Sequence, residues 1–280
     1  MKVDNIIKSD RVTISFEVFP PKGKVTTEDI EQLSNLCSLK PSYISCTYGA
    51  GGGTRETSLE IEKIIQAMSI PAVAHLTCGH STESEVEQLV DEVCGAGIEN
   101  ILALRGDELK EDGFEYATKL IEYIRKRGVD WCIGAACYPE KFPESSSQEL
   151  DIEVMRYKSD LGCNFFTTQM FFDNNIYYNF MYKVRSAGIK TPVVPGIMPI
   201  ISPKQMEKSI KLSGSMVTKE IKSIMDKYSL NKEAMKQAGI IYATNQIVDL
   251  LANGEKHIHL YTMNNYSITK GILDNLKGII

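Results

Sequence analysis

Residues 12–38 read VTISFEVFPPKGKVTTEDIEQLSNLCS, and they hold one complete unit of a pattern that the chain repeats. An apolar, β-branched run, Val12–Val18, ends in a proline-rich turn. A helical stretch then opens at Thr26-Thr27-Glu28-Asp29, where hydroxyls can cap free N–H groups. Runs of the same kind lie at Tyr43–Tyr48, Ala72–Leu76, Ile101–Arg105, Trp131–Cys137, Asn164–Gln169, Pro192–Ile197 and His257–Thr262. Most begin about 30 residues apart, the length of one βα unit. The last interval is about twice that and carries extra helical sequence from 203 to 253. Between the runs, Ser81–Glu85 starts a helix whose apolar stripe continues through Leu89, Val93 and Ala96 until Gly95 and Gly97 end it, and Ser145–Glu149 precedes another over 150–161. Strand–helix alternation implies a parallel sheet. Eight repeats without a central glycine fingerprint favour a closed cylinder, with an open doubly wound sheet as the structural alternative. The expectation is therefore an α/β fold, a (β/α)8 TIM barrel in which residues 1–280 form one catalytic domain with extra helices between strands 7 and 8.

Composition narrows the partners. Of 280 residues, 43% are hydrophobic and 24% charged, which suits a soluble globular chain with a substantial core. The net charge of -5 gives no footprint for nucleic acid or an anionic membrane. The N-terminus, MKVDNIIKSDRV, lacks an apolar signal segment, and no apolar run reaches the roughly 18 residues of a membrane span. Seven cysteines, Cys37, Cys46, Cys78, Cys94, Cys132, Cys137 and Cys163, include no C-x-x-C pair. They read as buried free thiols of a reducing, cytoplasmic compartment, and no metal site is expected.

A barrel carries its chemistry at the C-terminal ends of its strands. The runs end in SFEVFPP, SCTYG, HLTC, LRGD, CYPE, TTQ, PGIMP and YTMN. Glu17, Thr47, His75, Asp107, Tyr138 and Gln169 would thus converge on one mouth. Each has a plainer reading beside the functional one. Glu17 is an exposed edge residue or a buried general acid, since burial favours the protonated form of a carboxyl. Asp107 is a turn or helix cap, or an anion beside a developing cation, with Gly106 letting backbone approach a flat ligand. His75 is a satisfied core histidine or a site residue, and no ligand spacing makes it a metal ligand. His257 and His259 alternate along a strand and share one face. Gly49–Gly53, GAGGG, fits neither phosphate-loop spacing and reads as an active-site loop, after which Thr54, Arg55 and Glu56 start a helix. Lys158 follows Asp151 by two helical turns; the face they share is either solvated or set to meet a diphosphate. Phe171-Phe172 is core or the wall of an aromatic ligand.

These segments resemble the bacterial-type methylenetetrahydrofolate reductase family: SFEVFPPKG at Ser15–Gly23, CTYGAGGGTRE at Cys46–Glu56, AHLTC at Ala74–Cys78, LALRGD at Leu102–Asp107, AACYPEKFPES at Ala135–Ser145, TTQMFFD at Thr167–Asp173, PGIMPI at Pro195–Ile200 and HLYTMN at His259–Asn264. They occur in the family's order over residues 12 to 265. The resemblance implies a barrel holding FAD (FMN in some related reductases), which takes hydride from NADH or NADPH and gives it to methylenetetrahydrofolate at the same site. It implies Glu17 as the general acid that opens the folate ring to an iminium ion, and Asp107 as the aspartate that stabilises that cation. It makes Gln169, Gln205 and Thr47 substrate contacts. It makes Thr47, His75, Arg105, Gly106, Asp107, Ala136, Tyr138, Asp151 and Lys158 flavin contacts. Three positions depart from the family pattern. Ser209 replaces a phenylalanine, Asn265 an arginine and Phe142 a histidine, which bears on the nicotinamide, the electron donor and the adenine end of the flavin. A cysteine-rich redox partner subunit, as some related reductases use, is the alternative donor. A folate-binding barrel without redox chemistry is the alternative function, and a homo-oligomer is compatible with all of these.

Overall fold

The structure, a computed structural model, describes residues 1–48, 54–79, 81–106 and 113–280. In chain order its elements are α1 (Val3–Ile7), β1 (Thr13–Val18), α2 (Thr27–Ser38), β2 (Ile44–Cys46), α3 (Arg55–Ala67), β3 (Ala72–Thr77), α4 (Glu83–Gly95), β4 (Asn100–Leu104), α5 (Ala117–Lys126), β5 (Cys132–Cys137), α6 (Gln148–Asp160), β6 (Phe165–Thr168), α7 (Asn174–Ser186), β7 (Val193–Val194), β8 (Gly196–Ile197), α8 (Pro203–Ser213), α9 (Lys219–Tyr228), α10 (Lys232–Ala252), β9 (His257–Tyr261) and α11 (Tyr266–Leu276). All eight strand candidates form strands whose ends lie within two residues of those expected, and the seventh is split in two. The extra sequence before the last strand forms α8, α9 and α10.

Every strand pairing is parallel, in the order β7-β6-β5-β4-β3-β2-β1-β9-β8. β7 and β8, at opposite ends of that order, flank Pro195 and are the halves of one strand candidate. The proline has no N–H for the ladder. Its carbonyl accepts instead from His259 N at 2.9 Å, while Gly196 N donates to Thr168 Oγ1 at 2.9 Å. The strand therefore leaves β6 and joins β9 at the proline, and the cylinder closes apart from that break.

Thr26 with Asp29, Thr54 with Thr57 and Thr82 with Glu85 form reciprocal capping boxes at the starts of α2, α3 and α4. Each such cap contributes about 1 kcal/mol and fixes where a βα loop ends. The stripe expected on α4 faces the core and extends to Val86 and Val90. Val86, Val90 and Val93 are buried, Leu89 and Ala96 only half so, and the left-handed Gly97 (φ 69°) ends the helix.

Residues facing the helices form the main core, including Phe16, Ile44, Leu76, Ile101, Ile133, Phe166 and Leu260. The opposite faces of the strands point into the cylinder. There Tyr43, Val73, Leu102, Cys132, Phe165 and Val194 pack with Val3 and Ile7, so α1 plugs the floor of the barrel. Asn100 anchors that plug: Oδ1 accepts from Val3 N at 2.7 Å and Nδ2 donates to the Ala72 carbonyl at 3.1 Å. Six of the cysteines are buried as expected, whereas Cys94 is exposed on α4. No helix among the described residues is long and apolar enough to cross a membrane.

A third cluster, Met170, Phe172, Ile200, Met206, Ile221 and Met235, joins α8–α10 to the rim. α10 meets the loop after β8 so closely that a Cβ on Gly239 would lie 1.9 Å from the Ile200 carbonyl oxygen. Gly239→Ala is therefore expected to cost about 1–3 kcal/mol, read as a lowered Tm. An unchanged Tm would show that the loop gives way freely.

Candidate functional site

The inner face of the barrel is divided. Along β9, β1, β2 and β3 the inward positions are polar: His257, His259 and Tyr261; Thr13, Ser15 and Glu17; Ser45 and Thr47; His75 and Thr77. On β5 and β8, Gly134 and Gly196 leave room for large rings. A Cβ on Gly134 would meet the Phe165 ring at 2.4 Å, and one on Gly196 would meet the Tyr261 ring at 2.6 Å. Phe165 fills the lower interior, and Tyr261 crosses it to donate its hydroxyl to the Thr168 carbonyl at 2.5 Å.

Glu17 stands at the upper edge of the polar half with its side chain 12% exposed. Its Oε2 lies 3.7 Å from His75 Nε2 and 3.9 Å from His259 Nε2. The rim around it is held from β9. Thr262 Oγ1 donates to the Glu17 carbonyl at 2.6 Å, and the Asn264 amide clamps Phe19 through its N–H (2.9 Å) and its carbonyl (2.8 Å). Met263 and Asn264 adopt φ of 51° and 54° to do so, left-handed backbone that non-glycine residues take at a cost. Glu17 is thus a largely covered carboxyl on a braced strand rather than an edge residue.

Burial pushes the His75 imidazole down to about 4, only partly opposed by the Glu17 carboxylate, and His259 adds to the depression. A histidine lowered in the fold stays neutral there while the unfolded chain takes a proton near 6.5. Its contribution is complete above that pH and is lost as pH falls through about 4. The difference is worth on the order of 3 kcal/mol. His75→Gln should accordingly flatten the loss of stability between these two pH values in denaturant titrations. A slope equal to that of the parent would rule out a neutral buried His75.

Further polar atoms line the same rim. Thr47 Oγ1, Thr77 Oγ1 and His75 Nε2 are buried without a hydrogen-bond partner among the described residues. Gly106 follows β4 with φ 89°, and half-buried Ala136 and Tyr138 close β5. Arg105 makes two 2.7 Å hydrogen bonds to Glu144 and lies 5.0 Å over the Phe142 ring, which in turn packs on Tyr138. Phe142 thus forms an aromatic shelf in place of a histidine. Asp151 accepts from Phe142 N at 2.8 Å.

Lys158 does not lie on a solvated face. It is 8% exposed, and its ammonium donates to the Ala136 carbonyl at 3.2 Å. Burial lowers its pKa, and Asp151 acts on it from beyond ion-pair contact. It is a buried cation with no ion-pair partner among the described residues. Gln169, after β6, turns its Oε1 to Met170 N at 2.9 Å, and Gln205 holds Ile201 N at 2.9 Å. Asn265 caps α11, accepting from Ile268 N at 3.1 Å, and Ser209 is half-buried on α8. Phe171 and Phe172 are both buried, Phe171 stacked on Tyr177 at 5.2 Å. Asp107 and Gly49–Gly53 lie outside the described residues.

Two features were not assigned to the site from sequence. One is His259, 2% exposed, whose neighbours Ser15 and Ser45 become visible only through strand register. The β9 alternation of His257, His259 and Tyr261, set against Thr13, Ser15 and Glu17 on β1, carries the signal. The other is the buried pair Arg55–Glu62, 3.3 Å apart on α3 behind Thr47, whose carbonyl Ser58 Oγ holds at 3.0 Å.

The profile of the methylenetetrahydrofolate reductase family matches residues 2–277. The 5,10-methylenetetrahydrofolate reductase of Escherichia coli is 33% identical over 274 residues, covering 95% of this chain and 91% of that protein. That of Pectobacterium carotovorum is also 33% identical, covering 95% and 90%. Methylenetetrahydrofolate reductase (NADH) 1 of Arabidopsis thaliana is 32% identical across all of this chain, which spans about half of that longer relative. A solved structure of an uncharacterised Clostridium thermocellum protein that binds two copies of 5-methyl-5,6,7,8-tetrahydrofolic acid aligns over 99% of this chain with a TM-score of 0.72 and 15% identity, a likeness of fold. With a barrel of the expected topology and the family's profile matched almost from end to end, this chain belongs to the methylenetetrahydrofolate reductase family.

Proposed function

We propose that the barrel is a flavoenzyme that reduces 5,10-methylenetetrahydrofolate to 5-methyltetrahydrofolate. The observation that carries the reading is the nearly buried Glu17 carboxyl, flanked by two histidines on the polar inner wall of a chain in this family. The residues at the rim fit a flavin. Among the described residues, Thr47, Thr77 and His75 offer buried polar atoms without partners and Lys158 is a buried cation without a paired carboxylate, while Gly106 and Ala136 allow close approach of a flat ring. When bound, a flavin supplies the hydride transfer, replenished by NADH or NADPH.

The protein's part is to bind, orient and move a proton. Lys158 would meet the diphosphate of FAD, with Asp151 and Arg105 nearby. Thr47, Gly106, Ala136 and Tyr138 would line the ring system. Gln169 and Gln205 would turn from their backbone contacts to the folate. Glu17 would protonate the ring nitrogen that leaves the one-carbon unit, and Asp107 would stabilise the resulting cation. Asn265 at a helix cap supplies no cation toward the nicotinamide, which leaves a redox partner protein as the second donor to compare with NADH and NADPH.

The test begins with binding. The apoprotein titrated with FAD should quench flavin fluorescence at a single site. Lys158→Met should weaken FAD by about 10- to 100-fold, the worth of a hydrogen bond to a charged group, and weaken FMN, which lacks the diphosphate, by less. Failure of the parent protein to bind either flavin would remove the proposal and leave a folate-binding barrel without redox chemistry.

A further inference from the structure

The break at Pro195 leaves a seam beside β6. Pairing of β6 with β7 ends at Thr167 and Val194, and beyond the proline the chain pairs with β9 instead. The carbonyls of β6 and its loop above that point have no ladder to enter, and a buried carbonyl left unmet is costly. Side chains meet them. Tyr261 donates its hydroxyl to the Thr168 carbonyl at 2.5 Å, Ser215 to Met170 at 2.8 Å and Tyr242 to Phe172 at 2.5 Å, while Gln246 Nε2 donates to Phe171 at 2.9 Å. Three of these donors belong to the segment inserted before the last strand. Ser215 follows α8, and Tyr242 and Gln246 lie about one turn apart on α10. The proton of Tyr242 goes to Phe172, so its oxygen accepts from the hydroxyl of Thr218, the cap of α9, at 3.3 Å. Asn174 at the start of α7 returns the grip, donating to the Gln246 carbonyl at 2.9 Å and to Asp249 at 2.6 Å.

Gln246 shows that this clasp is more than packing. It is 7% exposed, and its Oε1 has no hydrogen-bond partner among the described residues. A buried amide with its oxygen unmet costs stability, and an apolar residue would fill the same space without that cost. What the amide adds is its hold on Phe171.

We infer that Ser215, Tyr242 and Gln246 are positioning residues for Gln169. Gln169 stands inside the held stretch, between Thr168 and Met170, and its own N–H donates to the Cys137 carbonyl of β5 at 2.7 Å. With the main chain fixed on both sides, its side-chain torsions are what remains free. Oε1 can then leave Met170 N and turn to the folate without the loop moving. A loop ordered in advance lowers the cost of binding and keeps the contact in register with the reacting atoms. The insert of α8 to α10 thus does at the seam what a neighbouring strand does elsewhere in the barrel. This role rests on the substrate-contact reading of Gln169 given above.

The flavin-loaded protein provides the first test. Gln246→Met keeps the length of the side chain and removes the donor, and Ser215→Ala removes the hydroxyl. Each should raise the KM for methylenetetrahydrofolate, and the Kd of 5-methyltetrahydrofolate read from the flavin band, by about five- to tenfold. The kcat should change by less than about twofold, the pattern of lost binding rather than lost chemistry. Ser215→Thr, which keeps the hydroxyl, should return the KM to within about twofold of the parent. In a Gln169→Ala background the same changes should add little, because the residue they position is gone. Equal increments with and without Gln169 would mean a general loosening and would contradict the inference.

The second test needs neither flavin nor folate. In the apoprotein, the side-chain amide resonance of Gln169, assigned by its loss in Gln169→Ala, should shift or broaden in Gln246→Met. An unmoved resonance in the folded variant overturns the inference. A parent protein that binds no folate defeats the underlying reading instead, and the amide resonance still decides whether the clasp holds Gln169.

Discussion

Glu17→Gln is expected to leave reduction of the flavin by nicotinamide nearly intact and to slow folate reduction by about 10²–10⁴, the usual worth of a positioned proton donor. Hydride arrival at the flavin involves no proton from Glu17, whereas opening of the folate ring does. Glutamine keeps the size and the hydrogen-bonding capacity of the side chain but has no acidic proton. The Thr262 and Asn264 side chains bond the main-chain groups of Glu17 and Phe19 and are untouched by the change, so the rim geometry survives. Stopped-flow measurement of each half-reaction separates the two effects. Normal folate turnover by the variant would mean that the acid is another group.

The largest effect on stability is expected at a pair that touches no ligand. Arg55 and Glu62 are 8% and 0% exposed and form two hydrogen bonds of 3.3 Å. Arg55→Met strands the carboxyl and should cost about 3–5 kcal/mol, whereas replacing both by apolar residues should recover most of the loss. Burial raises the Glu62 pKa to about 7, with Arg55 drawing it back. A carboxyl raised above its ordinary 4.5 adds stability below that value and loses it as pH rises through about 7. The single variant should therefore be least unstable in acid. Denaturant melts of the single and double variants across pH check both statements. Equal stability of single variant and parent would mean that the pair is hydrated. Because α3 starts directly behind Thr47, the single variant should also weaken flavin binding.

The fold was legible because each strand candidate is an apolar run stopped by a polar or glycine turn, and because threonine caps mark where α2, α3 and α4 begin. The break at Pro195 was not. A proline inside a run announces a lost N–H, but the change of partner from β6 to β9 depends on the curvature of the whole cylinder. The floor helix α1 was missed for a different reason. Five residues are too few to carry a period, and its partners, Asn100 foremost, are distant in sequence. On α4 the helical period and the buried face were both legible, with Val93 at its centre and Leu89 and Ala96 packed at its edges.

At the site, Glu17 and His75 were visible as polar residues at strand ends, and they do come together. Lys158 looked equally well suited to a solvated face. Its burial follows from the packing of α6 on β5, which no local pattern encodes. His259 was seen to share a face with His257, but its meaning lies in Ser15 and Ser45, which only register brings to it. Residues that act alone can be read from strand ends. Those that act through a neighbour need the barrel to be closed first.

The central claim is that this polar mouth passes hydride to a folate. The direct measurement is anaerobic mixing of the flavin-reduced protein with 5,10-methylenetetrahydrofolate, following the visible flavin band and analysing the folate after quenching. The account predicts reoxidation of the flavin with one 5-methyltetrahydrofolate formed per flavin. A flavin that stays reduced while the folate is recovered unchanged would contradict it.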